Sequence, residues 1–466
     1  MSQRMKNSRS IRRVARIRLI AVSLLCVISL SRLTLAQESV LDALREEAME
    51  QSDGSRVFQE PAGMLTMEAA IRLALESNPT IAAARREIEA TEAQVLQGSL
   101  RPNPGFSYTT ENAARVSRSS SAQVDLPVER GDKRAARVDA AQRGRDVAVS
   151  DLSGQQSRVR AAVMAAFFDV LAAQELLALA QDSAGLARRA TDIAAKRVAA
   201  GKISPVEETK ARVAEAGVRV SLTQAQSELR NARRRLSSLW GNPSPRFMEA
   251  QGEVDVMPGL PDPGLIERRL RESPFLRRAQ LELERRKSLV NVEQSKTVQD
   301  FTVSVGVQRR EESQREQMLV GISVPIPLYN RNQGNLLEAL RREDKARDEL
   351  VATRIKLASE VYQVVERADA RRQEVELLRS EVLPGARSAY EAATIGFENG
   401  KFSFLEVLDA QRTLFSAKSQ YLNALAALHR AVTDLESILG QPEAAGLTNP
   451  PSAQSLTTPQ VIVESR

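Results

Sequence analysis

The sequence predicts a mainly α-helical protein with a small β part, written twice in one chain. Three observations carry that expectation. Most of the 466 residues lie in stretches rich in Ala, Leu, Glu, Arg and Gln, all strong helix formers. Two short regions instead alternate apolar and polar residues with a period of two, as half-buried strands do. Markers also recur at a separation of roughly 195 to 200 residues, far above the period of a solenoid. ESNPTIAAARREIE at Glu76 returns as ESPFLRRAQLELE at Glu272, and DLPVERGDK at Asp125 as VPIPLYNRNQG at Val324. LSSLWGNP at Leu236 returns as LESILGQP at Leu435, and GKIS at Gly201 as GKFS at Gly400.

The first 36 residues read as a secretory signal peptide: a cationic stretch, the apolar core LIAVSLLCVISL from Leu19 to Leu30, and a small-residue end at Ala36. That core is too short to span a bilayer, although an uncleaved anchor remains the alternative. The segment holds eight Lys and Arg and no acid, so the formal charge of +7 less eight leaves about −1 for the rest. The basic balance therefore belongs to the leader and gives no support to a nucleic-acid partner. Cys26, the only cysteine, lies inside the apolar core and would leave with it. The thiol-free chain that remains suits an oxidising, exported location.

Residues 37–63 are expected to form a loosely ordered arm, followed by a first repeat over 64–250, a second over 251–440 and a disordered tail over 441–466. In the first repeat, Phe106 and Tyr108, then Ala122, Val124, Leu126 and Val128, predict a hairpin over about 104–128. A helix of about 100 Å follows from Asp132 to Ala200, with Gly185 expected to interrupt it. In the second repeat, Phe301, Val303, Val305 and Val307, then Met318, Val320, Ile322, Val324 and Ile326, predict a hairpin over about 300–327. The next helix carries Leu357, Val361, Val364, Ala368, Val375, Leu378 and Val382 in a 4-3 spacing, a coiled-coil seam, with Pro384-Gly385 as the expected break. Beyond the leader no apolar run looks long enough for a membrane helix. Apolar strand faces with no cover in one chain then point to a closed barrel, and four strands are too few to close one. Several copies must share it.

LTMEAAIRLALESNPTIAAARREIEATEAQVLQGSLRPNP from Leu65, VPIPLYNRNQGN, and GKFSFLEVLDAQRTLFSAKSQYLNALAALHRAVTDLESILG from Gly400 resemble the TolC family of outer-membrane efflux proteins. The likeness covers about residues 64–440, and RPNP with PLYNRNQGN is most similar to the cobalt-zinc-cadmium branch. It implies a homotrimer with a twelve-stranded barrel in the outer membrane, four strands per chain, above a helical periplasmic tunnel. The implied partners are outer-membrane lipid, a periplasmic adaptor protein and an inner-membrane pump of the resistance-nodulation-division type. The implied role is that of an exit duct for heavy-metal cations. Ducts for drugs or for type I secretion remain alternatives, as does a periplasmic coiled-coil adaptor or scaffold.

In that fold each GK-x-S marks a periplasmic tip between two helices. Gly201 and Gly400 suit the left-handed position that ends a helix, with Lys202 and Lys401 beside them. Ser204 with Glu207, and Ser403 with Glu406, have the S-x-x-E spacing of capping boxes, and Pro205 fits the first helical position. The same resemblance puts Glu406 and Asp409, with Glu207 as the partial counterpart, where the family places an acidic ring at the closed aperture. Lys210 replaces a second acid in the first copy. Phe402 stands where a locking arginine is expected, so packing by Phe397 and Phe402 is the expected substitute. No metal site is expected, since His429 is the only histidine and Met164, Met248 and Met257 are scattered. No cofactor site is expected, and with neither a phosphate loop nor a Ser/His/Asp set the chain is not expected to be an enzyme.

Overall fold

The computed structural model describes Asp42 and residues 60–111, 118–310, 315–399 and 401–440. The leader, most of the arm, the tail and Gly400 lie outside the described residues. Helices dominate. After strand β1 (Met64–Thr66) come α1 (Met67–Ser77) and α2 (Pro79–Ser99). The hairpin β2 (Gly105–Glu111) and β3 (Ser119–Val128) leads into α3 (Lys133–Ala199) and α4 (Pro205–Ser238). The second copy begins after β4 (Glu249–Gln251), with α5 (Pro263–Arg271) and α6 (Pro274–Ser295). Then follow β5 (Phe301–Arg310), β6 (Arg315–Ser323), α7 (Gln333–Leu377), a π-helical turn at Leu378–Val382, α8 (Leu383–Glu398) and α9 (Phe404–Leu439).

The helices make four rods. Helix α3 packs against α2 and α4 on one side and α6 and α9 on the other, while α7 and α8 pack on α6 and α9. Two rods are each assembled from two helices that meet end to end, and the repeated sequence markers build both joints. Asn78 accepts from the Thr80 and Ile81 amides at the start of α2, and its amide donates to the Leu239 carbonyl at the end of α4, 2.7 Å away. The Ser273 hydroxyl at the start of α6 donates to the Ile438 carbonyl of α9 at 2.7 Å. Thus ESNP meets LWGNP, and ESPF meets ILGQP. Gly241 and Gly440 turn the chain at the two joints with φ of +82° and +72°.

Four expectations need correction. Gly185 does not interrupt α3. One glycine costs about 1 kcal/mol, which a 67-residue helix packed on several neighbours absorbs. Nor does the helix stop at Pro384-Gly385. It loosens one turn earlier into the π turn, where the Leu383 amide reaches the Leu378 carbonyl, as suits a proline that would crowd the preceding turn. Val382 consequently leaves the seam and is partly exposed, whereas Leu357 to Leu378 are buried. Finally, α3 does contain a stretch long and apolar enough to cross a membrane, by length and composition alone. Its Val163, Phe167, Val170 and Leu171 instead form the core with Leu65, Leu73, Leu236, Trp240 and Phe247. Helices packed on α3 from two sides call for apolar residues on both.

The two hairpins, expected as separate ribbons, join through β3 and β5 into one antiparallel sheet in the order β2-β3-β5-β6. Strand β6 stops at Ser323, short of Val324 and Ile326, because Pro325 and Pro327 have no amide hydrogen to give the ladder. Register places the apolar residues on one face. Phe106 lies opposite Val124, Val124 opposite Val305, and Val305 opposite Val320, with Leu126, Val303 and Ile322 in the next row. Most of this face is exposed in the single chain. The opposite face carries Ser107, Gln123, Asp125, Ser304 and Gln308.

A second small sheet, the parallel pair β1 and β4, was not legible in the sequence. Glu60 anchors the chain beside it. Its carboxylate is buried and accepts from Trp240 Nε1, Asn242 Nδ2 and the Arg246 and Phe247 amides. At least this end of the expected arm is ordered.

Candidate functional site: paired helical tips

At the first tip, α3 closes through bonds from the Gly201 amide to the Val198 carbonyl and from Lys202 to Arg197, at 2.9 and 2.8 Å. Gly201 has φ of +70° with open space around it, the left-handed closure expected there. Ser204 caps α4 by accepting from the Val206 amide at 3.3 Å, with Pro205 in the first turn. The expected capping box is not made: Ser204 takes the Val206 amide, while the Glu207 amide donates to the Ser204 carbonyl. Glu207 turns away to Lys210, 3.1 Å distant, because a cation one turn along competes for its carboxylate.

The second tip makes its box in full. Glu406 accepts from the Ser403 amide at 2.5 Å, and its own amide donates to the Ser403 hydroxyl at 3.4 Å. Asp409 is exposed three residues further on, hence on the same side of α9. Among the described residues neither Glu406 nor Asp409 has an ion-pair partner, whereas Glu207 does. Lys401 and Phe402 close the end of α8 by donating to the Gly396 carbonyl at 2.8 and 3.2 Å. The Phe402 ring lies against Gly396 so closely that a Cβ there would come within 2.1 Å of it. Lys202, Ser204, Lys401 and Ser403 are exposed.

The two tips touch. The Arg197 guanidinium sits over the Phe397 ring, 4.6 Å from its centre, so a cation–π contact joins the end of α3 to the end of α8. Phe397 therefore has the bridging contact and Phe402 a local one. Arg197 could have been suspected only as a basic residue in a last helical turn. Above the tips, the Gln411 side chain of α9 donates to the Ser183 carbonyl of α3 at 3.3 Å. Beside this contact a cavity of about 320 Å³ opens among α3, α4 and α9.

His429 is a packing residue. It is 4% exposed, stacks on Phe168 with ring centres 3.4 Å apart, and donates from Nε2 to the Val256 carbonyl at 2.9 Å. Burial pushes its pKa down to about 4, against the opposing pull of that carbonyl. No cluster of His, Cys, Asp and Glu with metal-holding geometry occurs among the described residues.

The sequence profile of the outer membrane efflux protein family matches twice, over residues 70–242 and 265–441. The chain is 45% identical over 383 residues to the cobalt-zinc-cadmium resistance protein CzcC of Cupriavidus metallidurans, covering 82% of this chain and 92% of that one. It is 24% identical over 291 residues to the nickel-cobalt-cadmium resistance protein NccC of Alcaligenes xylosoxydans xylosoxydans, covering 61% and 66%. Among solved structures, CusC superposes with a TM-score of 0.68 at 18% identity over 81% of this chain and 92% of that one. The Campylobacter jejuni CmeC outer membrane channel gives 0.68 at 15%, covering 80% and 85%. The four-stranded sheet, the paired rods and the duplication are thus those of a TolC-like channel. The chain belongs to the outer membrane efflux protein family, an efflux component of the outer membrane with most of its length in the periplasm.

Proposed function

We propose that the chain is the passive exit duct of a tripartite efflux system, carrying heavy-metal cations from an adaptor and an inner-membrane pump to the exterior, without enzymatic chemistry of its own. The observation that carries this reading is the sheet with one exposed apolar face and one polar face. Only lipid outside and water inside satisfy both, and four strands reach closure only with further copies. Three copies give twelve strands, the homotrimer on which the reading rests. Metal cations are favoured because the most extensive full-length relative described above is a cobalt-zinc-cadmium resistance protein. With one histidine and one cysteine in the sequence, metal discrimination is left to the pump.

The tips then face the adaptor, through the exposed turns at Gly201, Lys202 and Ser204 and at Lys401 and Ser403, with Gly400, outside the described residues, proposed to belong to the same docking surface. Glu406 and Asp409 from three copies gather six carboxylates at the aperture, with Glu207 tempered by Lys210. Phe397 and Phe402 pack that constriction. Deleting the gene and restoring it on a plasmid tests the whole reading. Sensitivity to cobalt, zinc and cadmium should rise on deletion and return to normal on restoration. Unchanged metal tolerance with new drug sensitivity would move the duct to drugs, and no change in either would reject it.

A further inference from the structure

Asp125 stands apart from the other acids where sheet meets helices. Glu129 pairs with Arg137 at 2.5 Å, and Asp300 with Lys133 at 2.8 Å. Among the described residues Asp125 has only neutral donors: the Ser304 hydroxyl at 2.6 Å, Gln123 Nε2 at 3.1 Å and the Ser107 hydroxyl at 3.4 Å. Its negative charge is oriented but not cancelled. It lies on the polar face of the sheet, opposite Gly105 on one side and Ser304 on the other, near the ends that join the helices. The charged residues of that face at the far end, Glu111, Arg310 and Arg315, are about 20 Å away at 3.3 Å per residue, beyond the screening length of about 8 Å at physiological salt.

The sheet beside Asp125 is also closely packed. Gly306 lies opposite Gln123, and Gly321 opposite Ser304, so two positions that would carry side chains toward the lumen carry none. At Gly306 a Cβ would meet the Ala122 carbonyl oxygen at 2.5 Å, so the strands close up where no side chain is tolerated. Each serine that donates to Asp125 keeps oxygen lone pairs free. The result is a half-buried carboxylate flanked by hydroxyl oxygens, the hard donor set that suits hydrated cations rather than soft, fully dehydrated ones.

We propose that Asp125 is a second cation-selecting station, at the helix-proximal mouth of the barrel lumen, taking hydrated divalent cations in transit through its carboxylate with the Ser107 and Ser304 hydroxyls alongside. The station rests on the duct reading above, since only closure by further copies turns the polar face into a lumen. It is separate from the tips. Three copies set three carboxylates around one passage, and the focusing of potential in a low-dielectric wall raises local cation concentration there.

The test is reconstitution of the full mature chain in planar bilayers, with reversal potentials read in potassium chloride and cobalt chloride gradients. Asp125→Asn should lower the cation-to-anion permeability ratio at least about twofold, and lower single-channel conductance at about 0.1 M salt but not at 1 M, where screening is nearly complete. Asp125→Glu should keep the wild-type preference. Asp125→Cys separates charge from folding within one pore, because Cys26 in the leader is the only native cysteine. A sulfonate-bearing thiol reagent should restore cation preference and a trimethylammonium reagent should reverse it. Wild-type pores whose selectivity is unmoved by Asp125→Asn, or by reagents of either sign, overturn this station alone. Absence of pores from the wild-type chain overturns the duct reading and the station with it.

Discussion

Glu406 holds two roles on one carboxylate. Its side chain closes the capping box of α9, and its charge, with Asp409, is the proposed aperture acid. Alanine would remove both roles together, whereas glutamine keeps an acceptor for the Ser403 amide and deletes only the charge. Glu406→Ala should therefore fray the first turn of α9 by about 1 kcal/mol, read by hydrogen exchange, while Glu406→Gln leaves that turn protected. Glu406→Gln with Asp409→Asn should lower cation preference in bilayers. Equal fraying in the Gln and Ala variants would remove the capping role. The S-x-x-E spacing announced both boxes but could not show that Lys210 would draw Glu207 off, since the competing cation lies outside the motif. His429 offers a pH test. Its pKa falls from about 6.5 unfolded to about 4 folded, so protonation favours the unfolded chain. Its contribution to stability is complete above pH 6.5 and is lost as pH falls toward 4. The melting temperature of the wild type should drop more steeply across that window than that of His429→Phe, which keeps the stack on Phe168; parallel curves would contradict the assignment.

The seam of the long second-repeat rod shows how far periodicity can be read. Leu357, Val361, Val364, Ala368, Val375 and Leu378 are buried as their spacing predicts, but the next buried positions are Ala386 and Ala393. A strict heptad from Leu378 would continue at 385 and 392. The π turn thus adds one residue to the repeat, which moves Val382 off the seam. The apolar pattern alone could not show this, because alanines at 386 and 393 are weak markers among many. Deleting Ser380 should convert the turn to α-helix and leave the seam in phase, with a melting temperature within a few degrees of wild type. Deleting Lys356, outside the turn, should shift every seam residue N-terminal to it by about 100° against the rest and cost several degrees more. Equal losses would show that the turn has a role beyond phase. The strands were legible for the same reason as the seam: alternation reveals a face. Their partnership across β3 and β5 was not, because pairing between residues 119–128 and 301–310 leaves no local trace. Glu60 was missed similarly, since its four donors arrive from residues 240–247.

In one chain the four rods have two free edges, and both carry apolar stripes. On α4, Val206, Val213 and Val220 are seven residues apart and exposed, and on the other edge rod Val351, Ile355 and Tyr362 repeat a near-heptad spacing on α7. Val213 is 68% exposed and Tyr362 73%, although neither belongs to the lipid-facing sheet. Spacing of this kind suits a coiled-coil seam, and in the proposed homotrimer the edge of the next copy offers matching chemistry. Val213→Asp tests it with little effect on the chain's own packing. Burying a valine is worth about 1.5 to 3 kcal/mol at each interface of the proposed homotrimer, and an aspartate there forfeits that and adds the cost of a desolvated charge. The variant should keep wild-type helicity by circular dichroism and run as a monomer in detergent by light scattering, with Val213→Leu remaining trimeric. A Val213→Asp trimer as stable as wild type would mean that the stripe faces water in the assembly, leaving closure of the duct to the strands alone.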